Sequence, residues 1–185
     1  TGSRWLDSIT CRGKYGGIPV GKITEIAGLS GAGKSFMAAQ IAANAQKMGK
    51  FPVYFDAESA IDPGFLESAG VDTQNLMYIQ AISVEKVLET IETLIDQYED
   101  TQFIFIWDSI AATSSEKELE SDFNPQSTMS VKPRIFGKAF PKLTIPLANG
   151  QHTLLLINQL KTNINTQNPM AALIEPYIAP GGKAI

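Results

Sequence analysis

The chain has 185 residues, enough for one compact domain with a buried core and too few for two at about 150 residues each. Hydrophobic residues make up 44% and charged residues 18%, which excludes a disordered chain; 15 basic against 19 acidic side chains leave a net charge of -4, which excludes bulk attraction to polyanions. Any contact with nucleic acid must then be local, through a loop or one face.

Cys11 is the single cysteine, so an internal disulfide framework and a multi-cysteine metal site are excluded. No run approaches 18 apolar residues and the amino end lacks the apolar core of a signal peptide, so a cytoplasmic protein with no membrane contact is expected. The sequence lacks an initiator Met and stops abruptly after Gly181, Gly182, Lys183, Ala184 and Ile185, the expectation being an excised core.

Taken in chain order, short apolar runs alternate with helical patterns. Lys22–Ala27 (KITEIA) is the first expected strand, followed by a helix over Ser35–Met48 that stops at Gly49. Pro52–Asp56 (PVYFD) is the second strand, Pro63–Ala69 a short helix closed by Gly70, and Leu76–Gln80 (LMYIQ) the third strand. Val84–Glu99 places Val84, Val87, Leu88, Ile91, Leu94, Ile95 and Tyr98 at helical spacing, with Glu85, Glu89, Glu92 and Asp96 opposite, so one stripe is buried. Phe103–Trp107 (FIFIW) and Thr153–Asn158 (TLLLIN) complete the strands. Runs of this kind without polar alternation suit strands buried on both faces, the mark of a parallel sheet, and their alternation with helices specifies an α/β layered fold. Two stretches resist the scheme: Ser115–Val131 is polar and breaker-rich, and Lys161–Pro180 is long with three prolines. Pro133 and Pro141 put the start or continuity of a helix between them in question.

The strongest chemical signal is Gly28-Leu29-Ser30-Gly31-Ala32-Gly33-Lys34-Ser35, which fits G-x-x-x-x-G-K-[ST] directly after a strand and directly before a helix. Glycines let the backbone wrap phosphate oxygens, and the helix start adds amide donors and a positive dipole end. Lys34 would reach the β- and γ-phosphates and the Ser35 hydroxyl would ligate Mg²⁺. Asp108, at the exit of an apolar run, suits Mg²⁺ through water, or else a plain helix cap. Glu58, in Asp56-Ala57-Glu58 at another strand exit, is placed to orient a water for attack on a γ-phosphate, or is a solvated loop carboxylate. Asn158 and Gln159 can hydrogen-bond a γ-phosphate without cancelling its charge, or merely satisfy strand-end backbone groups.

These residues, with Thr1-Gly2-Ser3, Phe55-Asp56-Ala57-Glu58 followed by Ala60, Asp62 and Pro63, Gly70-Val71-Asp72, Trp107-Asp108-Ser109-Ile110-Ala111-Ala112, Ile157-Asn158-Gln159 and Gly181-Gly182-Lys183-Ala184, stand in register over nearly the whole chain. The chain resembles the RecA recombinases, bacterial or phage UvsX-like. The resemblance implies a three-layer P-loop NTPase of RecA type, mostly parallel in its central sheet with helices on both faces. Residues 1–185 would form the ATPase core, the family's amino-terminal polymerisation segment and carboxyl-terminal part lying outside them. It also implies ATP and Mg²⁺ as ligands, single-stranded and double-stranded DNA as partners, and a homo-oligomeric filament that performs homologous pairing. By motif match Glu58 falls on the family's catalytic glutamate and Gln159 on its γ-phosphate sensor, acting with Lys34. Phe36 joins the nucleotide-binding set, and Asp62 and Phe65 fall where relatives contact the adenine, Phe65 standing in place of a tyrosine. Regions 115–132 and 160–180 fall on the family's two DNA-binding loops.

A related ring helicase or switch ATPase would share the fold, and a small-molecule kinase the phosphate loop, although the chain has few arginines (Arg4, Arg12, Arg134) to line a kinase lid. Arg134, Lys138 and Lys142 are spaced to share a helix face, and Lys132, Lys161 and Lys183 flank the two loops; read without the family, a solvated charged face is a commoner explanation for such a set than DNA contact. Tyr177 either stacks on a base or anchors its loop. His152 is expected at the surface at a strand start, Cys11 partly buried, and Trp5 and Trp107 in core or interface packing.

Overall fold

A computed structural model describes residues 1–14, 16–59, 61–121, 131–163, 174 and 176–179. The five apolar runs form strands, each within one residue of its expected ends: β1 (Ile23–Gly28), β2 (Phe51–Asp56), β3 (Met77–Gln80), β4 (Phe103–Asp108) and β5 (Thr153–Gln159). They make one sheet in the order β1-β5-β4-β2-β3, every neighbouring pair parallel. The fold is α/β with a mostly parallel sheet.

Side chains of the central strands alternate between two cores. Val53, Phe55, Phe105, Trp107, Leu154 and Leu156 face one side, where α4 (Val84–Gln97) and α6 (Val131–Asn149) pack with Val87, Ile91, Phe136, Leu143 and Leu147. Tyr54, Ile104, Ile106, Leu155 and Ile157 face the other, covered by α2 (Lys34–Lys47) and α3 (Pro63–Ser68). Helix α2 buries Ala38, Ala39, Ala42 and Ala43, small side chains that let its backbone lie close to the strands. The amphipathic pattern of α4 is realised over Val84–Gln97, and Tyr98, which the periodicity places in the stripe, lies beyond the helix and is half exposed.

Several expectations are corrected. Helix α6 runs without a break from Val131 to Asn149, with Pro141 and Pro146 inside it. Pro133 stands in the first turn, where an amide has no helical partner to lose, and burial of Phe136, Phe140, Leu143 and Leu147 outweighs the hydrogen bonds that the two interior prolines remove. The polar stretch after Thr113 contains the short helix α5 (Glu116–Glu120), started by a capping box in which Ser115 and Glu118 satisfy each other's backbone N–H groups. The later stretch is tied at its base by an antiparallel ribbon of β6 (Lys161–Thr162) and β7 (Tyr177–Ile178). Residues 122–130, 164–173 and 180–185, including Lys183, lie outside the described residues, as does Ala60.

His152 is buried, 2% exposed, its Nδ1 accepting the Phe103 N–H at 3.0 Å across the start of β4. An acceptor Nδ1 is a neutral imidazole, and burial, with Lys50 nearby, holds its pKa below the ordinary 6.5. Trp107 is fully buried, but Trp5, on α1 (Arg4–Thr10), is 83% exposed and takes no part in the core. Among the described residues no helix is long and apolar enough to cross a membrane.

Candidate functional site

Register assembles the site. Gly28, the last residue of β1, pairs with Gln159, the last of β5, while Asp108 at the end of β4 pairs with Ile157 on one side and Asp56 on the other. Four strand ends therefore bring one row of polar groups to the carboxyl rim of the sheet, where ligands of open α/β sheets gather.

The segment between β1 and α2 turns with Gly31 at φ 73° and Gly33 at φ 83°, left-handed conformations open to glycine at little cost. Gly33 is the N-cap of α2 and supplies no side-chain cap, so the first amides of this 14-residue helix point outward without a protein acceptor from that position. Such a helix start is electrostatically suited to an anion. Lys34 Nζ donates to the Leu29 carbonyl at 2.8 Å, folded over the turn it would leave to meet a ligand.

A cavity of about 310 Å³ opens in front of this turn. Ser30, Gly31, Gly33, Lys34, Ser35 and Phe36 line it from the turn and helix; Glu58, Phe65, Asp108 and Gln159 line it from the strand exits and α3. Of the residues singled out in the sequence, these ten meet in one place. Gly28 shapes the turn from below, with Lys34 Cδ 3.5 Å from where a Cβ would stand, and Leu29 and Ala32 close it through an Ala32 N–H to Leu29 carbonyl bond of 3.3 Å. Asp62 is not among the lining residues: it is the N-cap of α3, its Oδ1 accepting the Phe65 N–H at 2.9 Å, and so sets where the Phe65 ring stands. Phe65 meets Phe36 edge to face with centroids 6.2 Å apart. Asn158 is turned away, fully buried, with Nδ2 donating to Glu25 Oε1 at 2.7 Å; alternation along β5 sends it and Gln159 to opposite sides.

Glu58 and Gln159 touch: Gln159 Nε2 donates to Glu58 Oε1 at 2.7 Å, and Ser109 Oγ donates to the same oxygen at 3.2 Å. Asp108 accepts from the buried Tyr54 hydroxyl at 2.8 Å, and the Ser35 hydroxyl lies beside it. Burial pushes the Asp108 carboxyl up from the ordinary 3.8, the two hydroxyl donors oppose this, and the charges of Glu58 and Asp56 add to the rise. The same environment raises the Tyr54 phenol strongly, first through burial and then through the Asp108 charge. Ser35 and Asp108 together offer two hard oxygen donors, the chemistry that suits Mg²⁺ when phosphate oxygens and water complete its shell.

A family model, RecA N-terminal domain, matches residues 1–185. The chain belongs to the RecA family. It is 35% identical over 185 residues to Protein RecA of Aquifex aeolicus (strain VF5), covering 100% of this chain and 50% of the relative. Protein RecA of Bifidobacterium breve is likewise 35% identical over 185 residues, 100% of this chain and 44% of the relative. Protein RecA of Symbiobacterium thermophilum is 33% identical over 170 residues, 92% of this chain and 46% of the relative. The chain thus spans about half the length of the curated RecA relatives it matches.

Three residues that support the site escape sequence reasoning. Tyr54 reads as a strand former and Ser109 as a turn residue, and neither signals its bond across the rim. Asp56, two positions before Glu58, offers a faint sign, since a short carboxylate at a strand exit commonly accepts backbone N–H groups of the next turn. It does so here with Glu58 and Ile61.

Proposed function

We propose that the chain is the RecA-type P-loop ATPase core of a recombinase, which binds ATP with Mg²⁺ at this cavity and hydrolyses it while part of a filament on single-stranded DNA, pairing it with homologous duplex. The observation that carries the reading is the 2.7 Å contact of Gln159 with Glu58, on the rim facing the uncapped start of α2. Backbone amides from Gly31 to Ser35 would hold the β- and γ-phosphates, with Lys34 exchanging the Leu29 carbonyl for phosphate oxygen. Mg²⁺, held by Ser35 with Asp108, would supply charge neutralisation of the phosphates. Glu58 accepts a hydrogen bond from the attacking water and aims its oxygen at the γ-phosphorus, and Ser109 steadies the carboxylate from behind. Phe36 and Phe65 form an apolar wall suited to a base.

Gln159 is the last residue of β5, and the β6–β7 ribbon starts two residues later. Occupancy of the γ-phosphate site, felt by Gln159, would be passed through Leu160 to region 160–180, which we assign with region 115–132 to DNA contact. Lys132 is already engaged at 3.6 Å by Glu118 and Lys142 at 2.8 Å by Glu92, leaving Arg134 and Lys138 of the four as the better candidates on α6.

Two variants of the full-length protein test the reading. Glu58→Gln is expected to bind ATP normally and to lose hydrolysis by about a hundredfold or more. Gln159→Ala is expected to keep ATP binding while hydrolysis loses its stimulation by single-stranded DNA. Hydrolysis at the wild-type rate in the first, or unchanged stimulation in the second, overturns the assignment.

A further inference from the structure

Beneath Glu58 lies a carboxylate that the reaction does not use. Asp56 is 1% exposed and forms no ion pair among the described residues. Its negative charge is met by three donors instead: the Glu58 N–H on Oδ1 at 2.9 Å, and the Ile61 N–H at 3.1 Å and Tyr78 O–H at 2.7 Å on Oδ2. Both ends of the turn that carries Glu58 are thereby pinned to one side chain. The turn needs such pinning, because Ser59 stands at φ 50°, a left-handed conformation that a serine adopts only under constraint. Gln80 adds a third tie, its Nε2 donating to Ser59 Oγ at 3.1 Å.

Tyr78 and Gln80 are neighbours on one side of β3, the edge strand. Of the three donors to Asp56 only the Tyr78 hydroxyl comes from outside the turn, so it ties the carboxylate of this β2 residue to the neighbouring strand β3. Without it the carboxylate is free to turn about its side-chain torsions, and the Glu58 and Ile61 N–H groups lose a fixed acceptor. We infer that Tyr78 is a positioning residue for hydrolysis: through Asp56 it holds the Glu58 turn in the conformation that presents the carboxylate to water. Tyr78 is not among the residues that line the nucleotide cavity, so its effect is expected on the chemical step and not on ATP binding. This rests on the reading of Glu58 proposed above. Burial and the bond to Asp56 raise the Tyr78 phenol to about 12, so the proton that makes the bond stays in place at neutral pH.

The test is a double-mutant cycle in the full-length protein, measuring single-turnover ATP hydrolysis with single-stranded DNA, KM for ATP, and thermal unfolding. Tyr78→Phe keeps the ring and removes the hydroxyl. It is expected to lower kcat by about tenfold, within the range a small misplacement of a catalytic group commands, with KM little changed and Tm lowered by the loss of a hydrogen bond to a buried carboxylate. In the Glu58→Gln background the same substitution is expected to cost nothing further, since no carboxylate remains to be aimed. Wild-type kcat in Tyr78→Phe, or the same fold loss in both backgrounds, refutes the positioning role. A Glu58→Gln protein that hydrolyses at the wild-type rate refutes the reading of Glu58 itself, and the inference with it.

Discussion

Asp108 carries a charge that its buried surroundings disfavour. Its pKa is raised mainly by burial, so the stability linked to its proton is present below the unfolded value of 3.8 and is lost as pH rises through the higher folded value; at neutral pH the ionised carboxylate opposes folding. Asp108→Asn is therefore expected to raise Tm at pH 7 without nucleotide, the difference from the parent shrinking as pH falls towards 4, while Mg²⁺-dependent hydrolysis is lost. A lowered Tm at pH 7 would contradict this. Of this row, Asp108 was legible as the polar group directly after an apolar run, whereas Glu58 and Gln159 stand past the ends of theirs and take their expected roles from the family resemblance. Tyr54, Tyr78 and Ser109 were not legible, because their contacts depend on which strands lie side by side, and a tyrosine in an apolar run carries no mark of the partner its hydroxyl will find.

Among the elements, α4 depends visibly on the N-cap residue that precedes it. Ser83 is buried at the N-cap and its Oγ accepts the Lys86 N–H at 3.1 Å, so water cannot replace it. Ser83→Ala is expected to cost about 1 to 2 kcal/mol by chemical denaturation, whereas Lys86→Ala, which breaks only the exposed pair with Glu89, should cost less than about 0.5 kcal/mol. The sequence disclosed α4 through its periodicity and α2 through its glycine stop. It disclosed α5 and α6 poorly, for opposite reasons. The pattern Ser115-Glu116-Lys117-Glu118 holds a capping box, yet five residues are too few to stand out against polar surroundings. In α6 a local rule, that proline breaks helices, points the wrong way, and the four large side chains packed on the sheet decide the outcome.

Across the whole molecule the two rims of the sheet do different work. The carboxyl rim gathers the acids, turn and amide of the candidate site; the amino rim is a set of structural ties. There Lys50 Nζ donates to Gln102 Oε1 at 3.0 Å and to the Gln151 carbonyl at 2.8 Å, beside the bond from Phe103 to His152. Since the folded pKa of His152 is depressed, its contribution is present above 6.5 and is lost as pH falls through the lower folded value. Tm of the parent is expected to drop faster than that of His152→Asn as pH is lowered from 7 to 5, and parallel curves would contradict this. Strand order was beyond the sequence, which shows five buried strands but not that the first of them pairs with the last. The contrasting burial of the two tryptophans also gives the protein an optical property. Trp107 is sealed in the core, its Nε1–H donating at 2.8 Å to Thr113 Oγ1, which in turn donates at 2.9 Å to the Ser109 carbonyl. With the solvent-facing indole of Trp5 replaced by Phe, emission from the remaining tryptophan will be blue-shifted and shielded from iodide, and will register any rearrangement of the segment behind Glu58 without an attached dye.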